Sequence, residues 1–251
     1  LLHLEIIQER LKREYNLDLV VTTPSVAYSV TLQGGKQEII HNPLELPDSG
    51  SMQVIQEPWT KADIISPEQY IGSIMSLVSE KKGMYVNTEY LSNTAVGSDR
   101  RVILHFELPL ASILVDFYDT LKSVSSGYAS LNYEVIGYRD ADVVRLDVIV
   151  AEERVDSLAT IVYRDQAYTV GKKIVNALKE SLPREQFEIK LQAAVGSKVV
   201  AAERISAMRK DVTAGLYGGD VSRKQKVLAK QKKGKKRLKA SGRGKVEIPT
   251  D

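Results

Sequence analysis

VIQEPWTKADIISPEQYIGSIMSLVSEKKG, running from Val54 to Gly83, reads as a strand, a helix start, a helix face and a stop in immediate succession. Val54 to Ile65 has strand composition. Ser66-Pro67-Glu68-Gln69 follows with the pattern of a capping box, Pro standing at the first helical position. Ile71, Ile74 and Val78 then recur at helical spacing until Gly83 closes the helix. Beyond it, Tyr85 to Leu91 and Arg101 to Leu108 read as two strands around the turn NTAVGSD, with Val102, Leu104, Phe106 and Leu108 alternating. A second helix carries Leu110, Leu114, Phe117, Leu121 and Val124 and stops near Gly127, and a last strand puts Ala129, Leu131, Tyr133 and Val135 on one face. The order β-α-β-β-α-β is the split βαβ, ferredoxin-like arrangement: four antiparallel strands with two helices on one face.

On the N-terminal side, LLHLEIIQERLKREY places Leu4, Ile7, Leu11 and Tyr15 at helical spacing, with Glu5, Gln8, Glu9, Lys12 and Arg13 opposite. Leu17, Leu19 and Val21 alternate as in a strand, Pro24 interrupts, and Val26, Tyr28, Val30 and Leu32 alternate again up to the hairpin signal Gly34-Gly35. HNPLELPDSGSM, residues 41–52, has the composition of a linker. On the C-terminal side, Val143 to Val150 is apolar enough for a buried strand, and Ala167, Val170, Ile174 and Leu178 mark a helix. Phe187 to Val195 then has strand composition, and a helix is expected from about Val199 through Ile205, Met208 and Val212. The chain opens at Leu1 inside a helical pattern with no initiating Met, so the expectation is a fragment whose true N-terminus lies elsewhere.

The last of these segments leads into GGDVSRKQKVLAKQKKGKKRLKASGRGK, Gly218 to Lys245, which packs twelve Lys and Arg against one acid, Asp220. With 35 basic and 32 acidic residues in all, the remainder holds 23 and 31, a body of about −8 under a total of +3. Charge polarised in this way points to a polyanion engaged at one end. The cysteine count of zero excludes disulfides, thiolate nucleophiles and Cys-based zinc sites together. No apolar run approaches the roughly 18 residues that a membrane helix needs.

Catalytic chemistry finds little to work with. His3, His41 and His105 fall in a helix start, a linker and a strand, and His105 lies on the face opposite the core, so satisfied or solvated histidines fit better than ligands or bases. Asp140/Asp142 and Glu152/Glu153 read as exposed turn acids with no converging partner. Gly171-Lys172-Lys173 and Gly196-Ser197-Lys198 lack the upstream glycine and the hydroxyl residue after Lys that a phosphate-binding loop requires.

The basic run is the strongest functional feature. Arg209 and Lys210 precede it on the expected helix, and Arg223, Lys224, Lys226, Lys230, Lys232, Lys233, Lys235, Lys236, Arg237 and Lys239 follow Gly218-Gly219. Val227 and Leu238 among so many cations make no amphipathic face, which argues against insertion into a membrane surface. Three readings stand from composition: a disordered solvated tail, a targeting signal, or a segment that grips phosphate. Gln225 to Leu238 has no Pro and a single Gly and suits a helix once phosphates neutralise it. Tyr217 is the one aromatic nearby, so phosphate gripping fits better than base stacking.

Two motifs together resemble a known family. LLHLEIIQERLKREYNLDLVVTTPSVAY is similar to the third domain of translational GTPases. IVYRDQAY, QAAVGSKVVAAERISAMRKDV and YGGDVSRKQKVLAKQKKGKKRLK resemble the C-terminal domain of LepA-type elongation factor 4, and GYASLNYEVIGYRDADVVRLDV fits the end of that family's ferredoxin-like domain. The chain departs from the family pattern at Leu216, where Cys is usual, and stops at Val246-Glu247-Ile248-Pro249 short of the usual end. The resemblance implies an α+β chain: a ferredoxin-like split βαβ domain flanked by a partial third domain and a small α+β C-terminal domain. Its divisions are a third-domain remnant over 1–40, a linker over 41–52, the ferredoxin-like domain over 53–142, the C-terminal module over 143–217 and the basic segment over 218–251.

It further implies a cytoplasmic, monomeric, ribosome-bound factor that shifts mis-set tRNAs back after translocation. GTP and Mg belong to a GTPase domain outside this chain, which would itself hold no catalytic residue, metal or cofactor. Peripheral attachment at the inner face of a bacterial membrane, or an organelle stroma or matrix, is the alternative location. The ferredoxin-like unit would dock on the large subunit and the C-terminal module would contact tRNA. By position, RNA contact falls to Arg209, Lys210, Arg223, Lys224, Lys226, Lys230, Lys232, Lys233, Lys235, Lys236 and Arg237, with Tyr217, Gly218 and Gly219 shaping the turn that presents them. A protein-interaction module with a solvated basic tail is the competing expectation.

Overall fold

The computed structural model describes residues 2–17, 25–47, 50–91, 100–208, 210–213 and 221–240. It divides into two compact units, Thr23–Val143 and a second made of Leu1–Thr22 with Val144–Asp251.

The first unit is organised by one long strand. β1 (Tyr28–Leu32) and β2 (Gln37–Ile40) form the hairpin expected around Gly34-Gly35, and β3 (Met52–Pro67) follows. β4 (Met84–Tyr90), β5 (Arg101–Pro109) and β6 (Ser130–Asp140) complete an antiparallel sheet of order β2-β1-β3-β5-β4, with β6 on the other edge of β3. Its β6-β3-β5-β4 part is the ferredoxin-like order. β3 is long enough to serve two sets of neighbours: its first residues pair with β1, Ser29 opposite Gln56, and its later ones pair with β5 and β6. The hairpin is therefore hydrogen-bonded into the same sheet rather than set apart by the linker composition of residues 41–52. That segment is itself shaped: Asn42 and Glu45 make a reciprocal cap on a short turn over Pro43–Glu45, and Leu46 packs with Val30 and Ile40.

The helical layer departs from the pattern in three places. Ser66 belongs to β3, is buried and makes no cap; the chain enters α2 (Ile71–Glu80) through a tighter turn over Glu68–Tyr70, with Glu68 N–H donating to Arg100 O at 2.8 Å. The expected second helix is two pieces, α3 (Leu110–Leu114) and α4 (Phe117–Val124), because Asp116 takes a left-handed φ of 56° between them. Phe117 and Leu121 of the expected row are buried, but the break brings Ile113 into the core in place of Leu114, which is exposed. Ala129, just before β6, and Leu131 on it meet the core, but Tyr133 and Val135 are exposed on this edge strand. Val102, Leu104, Phe106 and Leu108 alternate inward as expected, packing on Ile74, Leu77 and Val78. Each such side chain, fully removed from water, stabilises the fold by about 1.5–3 kcal/mol. The turn NTAVGSD lies outside the described residues, as does the Leu19 to Val21 stretch.

The second unit contains α1 (Leu2–Tyr15), which forms as its periodicity predicts. β7 (Val143–Val150), β8 (Glu153–Arg154), β9 (Thr160–Tyr163), β10 (Ile189–Val195) and β11 (Lys198–Ile205) form a sheet of order β11-β10-β7-β8, with β9 also on β7. α5 (Ala167–Ser181) lies on β10 and β11. Gly171, inside α5 as its pattern requires, lets the helix approach so closely that a Cβ there would sit 3.0 Å from that of Ala193.

The helix expected from Val199 through Val212 does not form. Val199 to Ile205 is strand β11, paired antiparallel with β10 from Val195↔Lys198 to Ile189↔Ile205. The reason is local: Gly196 adopts φ 59° in the turn Gly196-Ser197, and Ala201 and Ile205 face the core at strand spacing. The same apolar residues fit a helical spacing, and the hairpin partner decides between the two.

Candidate nucleic-acid interface

The basic run is an α-helix, α6 (Val221–Ala240). Lys, Arg, Gln, Ala and Leu are good helix formers, and Pro is absent. The opposing influence is like charge: Lys226/Lys230 and Lys233/Arg237 stand four apart, each pair costing about 0.2–0.5 kcal/mol.

Contacts with the segment after β11 offset this. Gln231 Nε2 donates to Lys210 O at 3.0 Å, and Lys235 Nζ donates to Met208 O. Lys224, Val227, Gln231 and Lys235 are half-buried along one side of α6, whereas Arg223, Lys226, Lys230, Lys232, Lys233, Lys236 and Arg237 are exposed. Val227 and Leu238 alone make no apolar face; the second side of the helix exists because Lys224, Gln231 and Lys235, polar at their tips, are half-buried beside Val227. The signal was the spacing of Val227, Gln231 and Lys235, four residues apart.

Lys210 lies in a loop after β11 and not on a helix, since the segment expected to carry it is strand up to Ile205. Its carbonyl, more than its charge, ties the loop to α6. Arg209, Tyr217, Gly218 and Gly219 lie outside the described residues.

Elsewhere in this unit several cations are matched by carboxylates. Lys179 Nζ donates to Glu203 Oε2 at 2.7 Å and so holds the Glu203 carboxyl below its usual range. Arg145 Nε lies 2.9 Å from the buried Asp147 carboxylate, and Arg204 pairs with Glu188 at 3.7 Å. The exposed α6 cations form no ion pair with a described carboxylate.

No group of three His, Asp or Glu side chains among the described residues is placed to hold a metal ion. His105 lies on the sheet face away from the helices, its Nδ1 2.6 Å from Asp63 Oδ1. Asp140 accepts from Gln56 Nε2 at 2.9 Å, and Gly196-Ser197 is the hairpin turn already described. No helix among the described residues is long and apolar enough to cross a membrane.

Comparison with known proteins matches two adjoining stretches of the chain to families. Residues 54–149 match the family described as elongation factor G C-terminus, and residues 150–251 match the one described as GTP-binding protein LepA C-terminus. The chain is 53% identical over its full length to elongation factor 4 of Chlorobium phaeobacteroides, and 51% to those of Prochlorococcus marinus and Synechococcus elongatus. It spans 40% of the length of each. With the two family matches adjoining and half the residues identical throughout, the chain belongs to the elongation factor 4 (LepA) family, corresponding to its C-terminal part.

Proposed function

We propose that this chain is the ribosome- and tRNA-binding part of a translation elongation factor that moves tRNAs backward on the ribosome, driven by GTP hydrolysis in a domain this chain does not span. One observation carries the reading: an exposed basic helix, unmatched by described carboxylates, on a chain whose remainder is acidic. Such a helix is attracted to RNA phosphates while the acidic body is repelled, which orients the approach. On this reading the chain supplies binding and positioning, and GTP and Mg act in the parent protein's GTPase domain. The large exposed apolar side chains described on α6 are Val221 and Leu228, too little surface for a bilayer, and so the reading places the protein at the cytoplasmic ribosome.

Ribosome binding measured across salt, for this chain and for one cut after Gly219, tests it. The intact chain is expected to bind more tightly and with a slope of log affinity against log salt steeper by roughly 0.7 to 0.9 per phosphate neutralised. Equal affinity and equal slope for both would overturn it. The chain alone is expected to hydrolyse no GTP.

A second reading, docking on a protein, draws on edge strand β4, where Met84, Tyr85, Val86 and Tyr90 are about half exposed. It gains if charge reversal at Arg223 and Lys224 leaves ribosome association intact while Tyr85→Ser with Val86→Ser abolishes it.

A further inference from the structure

The cations of α6 are not equivalent. Seen down the axis at 3.6 residues per turn, Lys224, Val227, Gln231 and Lys235 share one side, the half-buried one that is tied to the carbonyls of Met208 and Lys210. Arg223, Lys226, Lys230, Lys233 and Arg237 follow one another at steps of three or four residues on the side away from it, all exposed. At 1.5 Å per residue this row is about 21 Å long.

We propose that α6 is a one-sided reader of RNA backbone: the row from Arg223 to Arg237 lies along the phosphates of a double-helical RNA, while Gln231 and Lys235 hold the half-buried side, which Lys224 shares, to the body. This rests on the RNA-binding reading above and adds which face binds and which form of RNA it takes.

Two features select a duplex. None of the described α6 residues is aromatic, so the helix has no platform on which unpaired bases would stack, and single-strand binding relies on such platforms. A straight row of cations with fixed spacing gains most from phosphates that are themselves fixed, and A-form RNA is recognised largely through its shape and backbone.

The test is the binding of this chain to a labelled RNA hairpin whose stem exceeds the row in length, measured across salt. K226Q/K230Q/K233Q is expected to reduce the salt slope by roughly 2 to 3, and K224Q/K235Q by less than about one, although the two sets differ by a single charge. Circular dichroism reports whether each retains the helix, and K224Q alone, which keeps the Lys235 tie, repeats the comparison should K235Q loosen it. An equal fall per charge in both sets overturns the one-sided row and leaves RNA binding standing. Tighter binding to an unstructured RNA of the same length overturns the duplex assignment. Failure of the unaltered chain to bind either RNA, or tighter binding to vesicles of anionic lipid, overturns the RNA reading itself.

Discussion

A Cβ added to Gly83 would lie 2.3 Å from Val78 Cγ1. Gly83 N–H donates to Val78 O at 2.8 Å, closing α2, yet the left-handed position at this helix end is taken by Lys82, with φ 61°. The two requirements of the cap are thus split: Lys82 bears the strained dihedral, and Gly83 makes room for a Val78 that is 1% exposed and unable to swing aside. Adjacent substitutions should therefore act with opposite sign. Gly83→Ala is expected to destabilise by about 1–3 kcal/mol through overpacking, and Lys82→Gly to stabilise by up to about 1 kcal/mol by relieving the left-handed cost. Urea midpoints for the two variants measure this.

Tyr28 gives the chain an alkaline weakness. Burial first, and the Glu57 charge second, push its phenol up to about 12. Unfolded, the same group ionises near pH 10, so the folded state holds this proton more tightly. The stabilisation is complete below about pH 10 and is lost as pH rises through about 12, a change on the order of 3 kcal/mol for a gap of about two units. Tyr28→Phe keeps the ring and removes the ionisation. Its stability should fall less than that of the parent over this window in denaturant titrations at stepped pH, and parallel curves would contradict the assignment.

The elements visible in the sequence are those where local pattern and tertiary partner agree. Val102, Leu104, Phe106 and Leu108 alternate over a sheet covered on one side, and the alternation carries straight through to burial. The residues from Val199 to Val212 misread as helix because Ile205, Met208 and Val212 follow at helical steps of three and four, and the buried pair Ala201 and Ile205, four apart, fits either period; the β10 partner that makes β11 a strand is a neighbour no window along the segment contains. Asp116 was equally hidden, since nothing around it marks a left-handed residue inside an otherwise helical run. In the candidate interface, composition exposed the charge but not its sidedness. That depends on carbonyls of Met208 and Lys210, which carry no side-chain signature.

On the open face of the first sheet, the guanidinium of Arg139 lies 4.4 Å from the Trp59 ring centre and pairs with Glu107. A planar cation is needed to stack and pair at once, and Lys cannot do both. Trp59 is the only tryptophan in the chain, so its fluorescence reports this contact alone. Arg139→Lys is expected to shift the emission to longer wavelength as the ring gains water and to cost about 1 kcal/mol, nearly as much as Arg139→Ala. Full retention of the parent spectrum by Arg139→Lys would show that charge rather than stacking covers the ring.

Gly234 separates a preformed helix from a flexible polycation. It sits within α6, and a Cβ there meets nothing within 4 Å, so substitution changes helix stability without altering a contact or a charge. Gly234→Ala should favour the helix by up to about 1 kcal/mol, visible as added ellipticity. RNA affinity should then hold or rise with an unchanged salt slope. Gly234→Pro removes a backbone donor and costs about 3 kcal/mol within a helix, parting Lys233 from Arg237 in the exposed row. Its salt slope should therefore fall even though every cation remains. A slope equal to that of the parent would mean that the charges bind as a loose chain, because a flexible polycation releases the same number of counterions whether or not the helix persists.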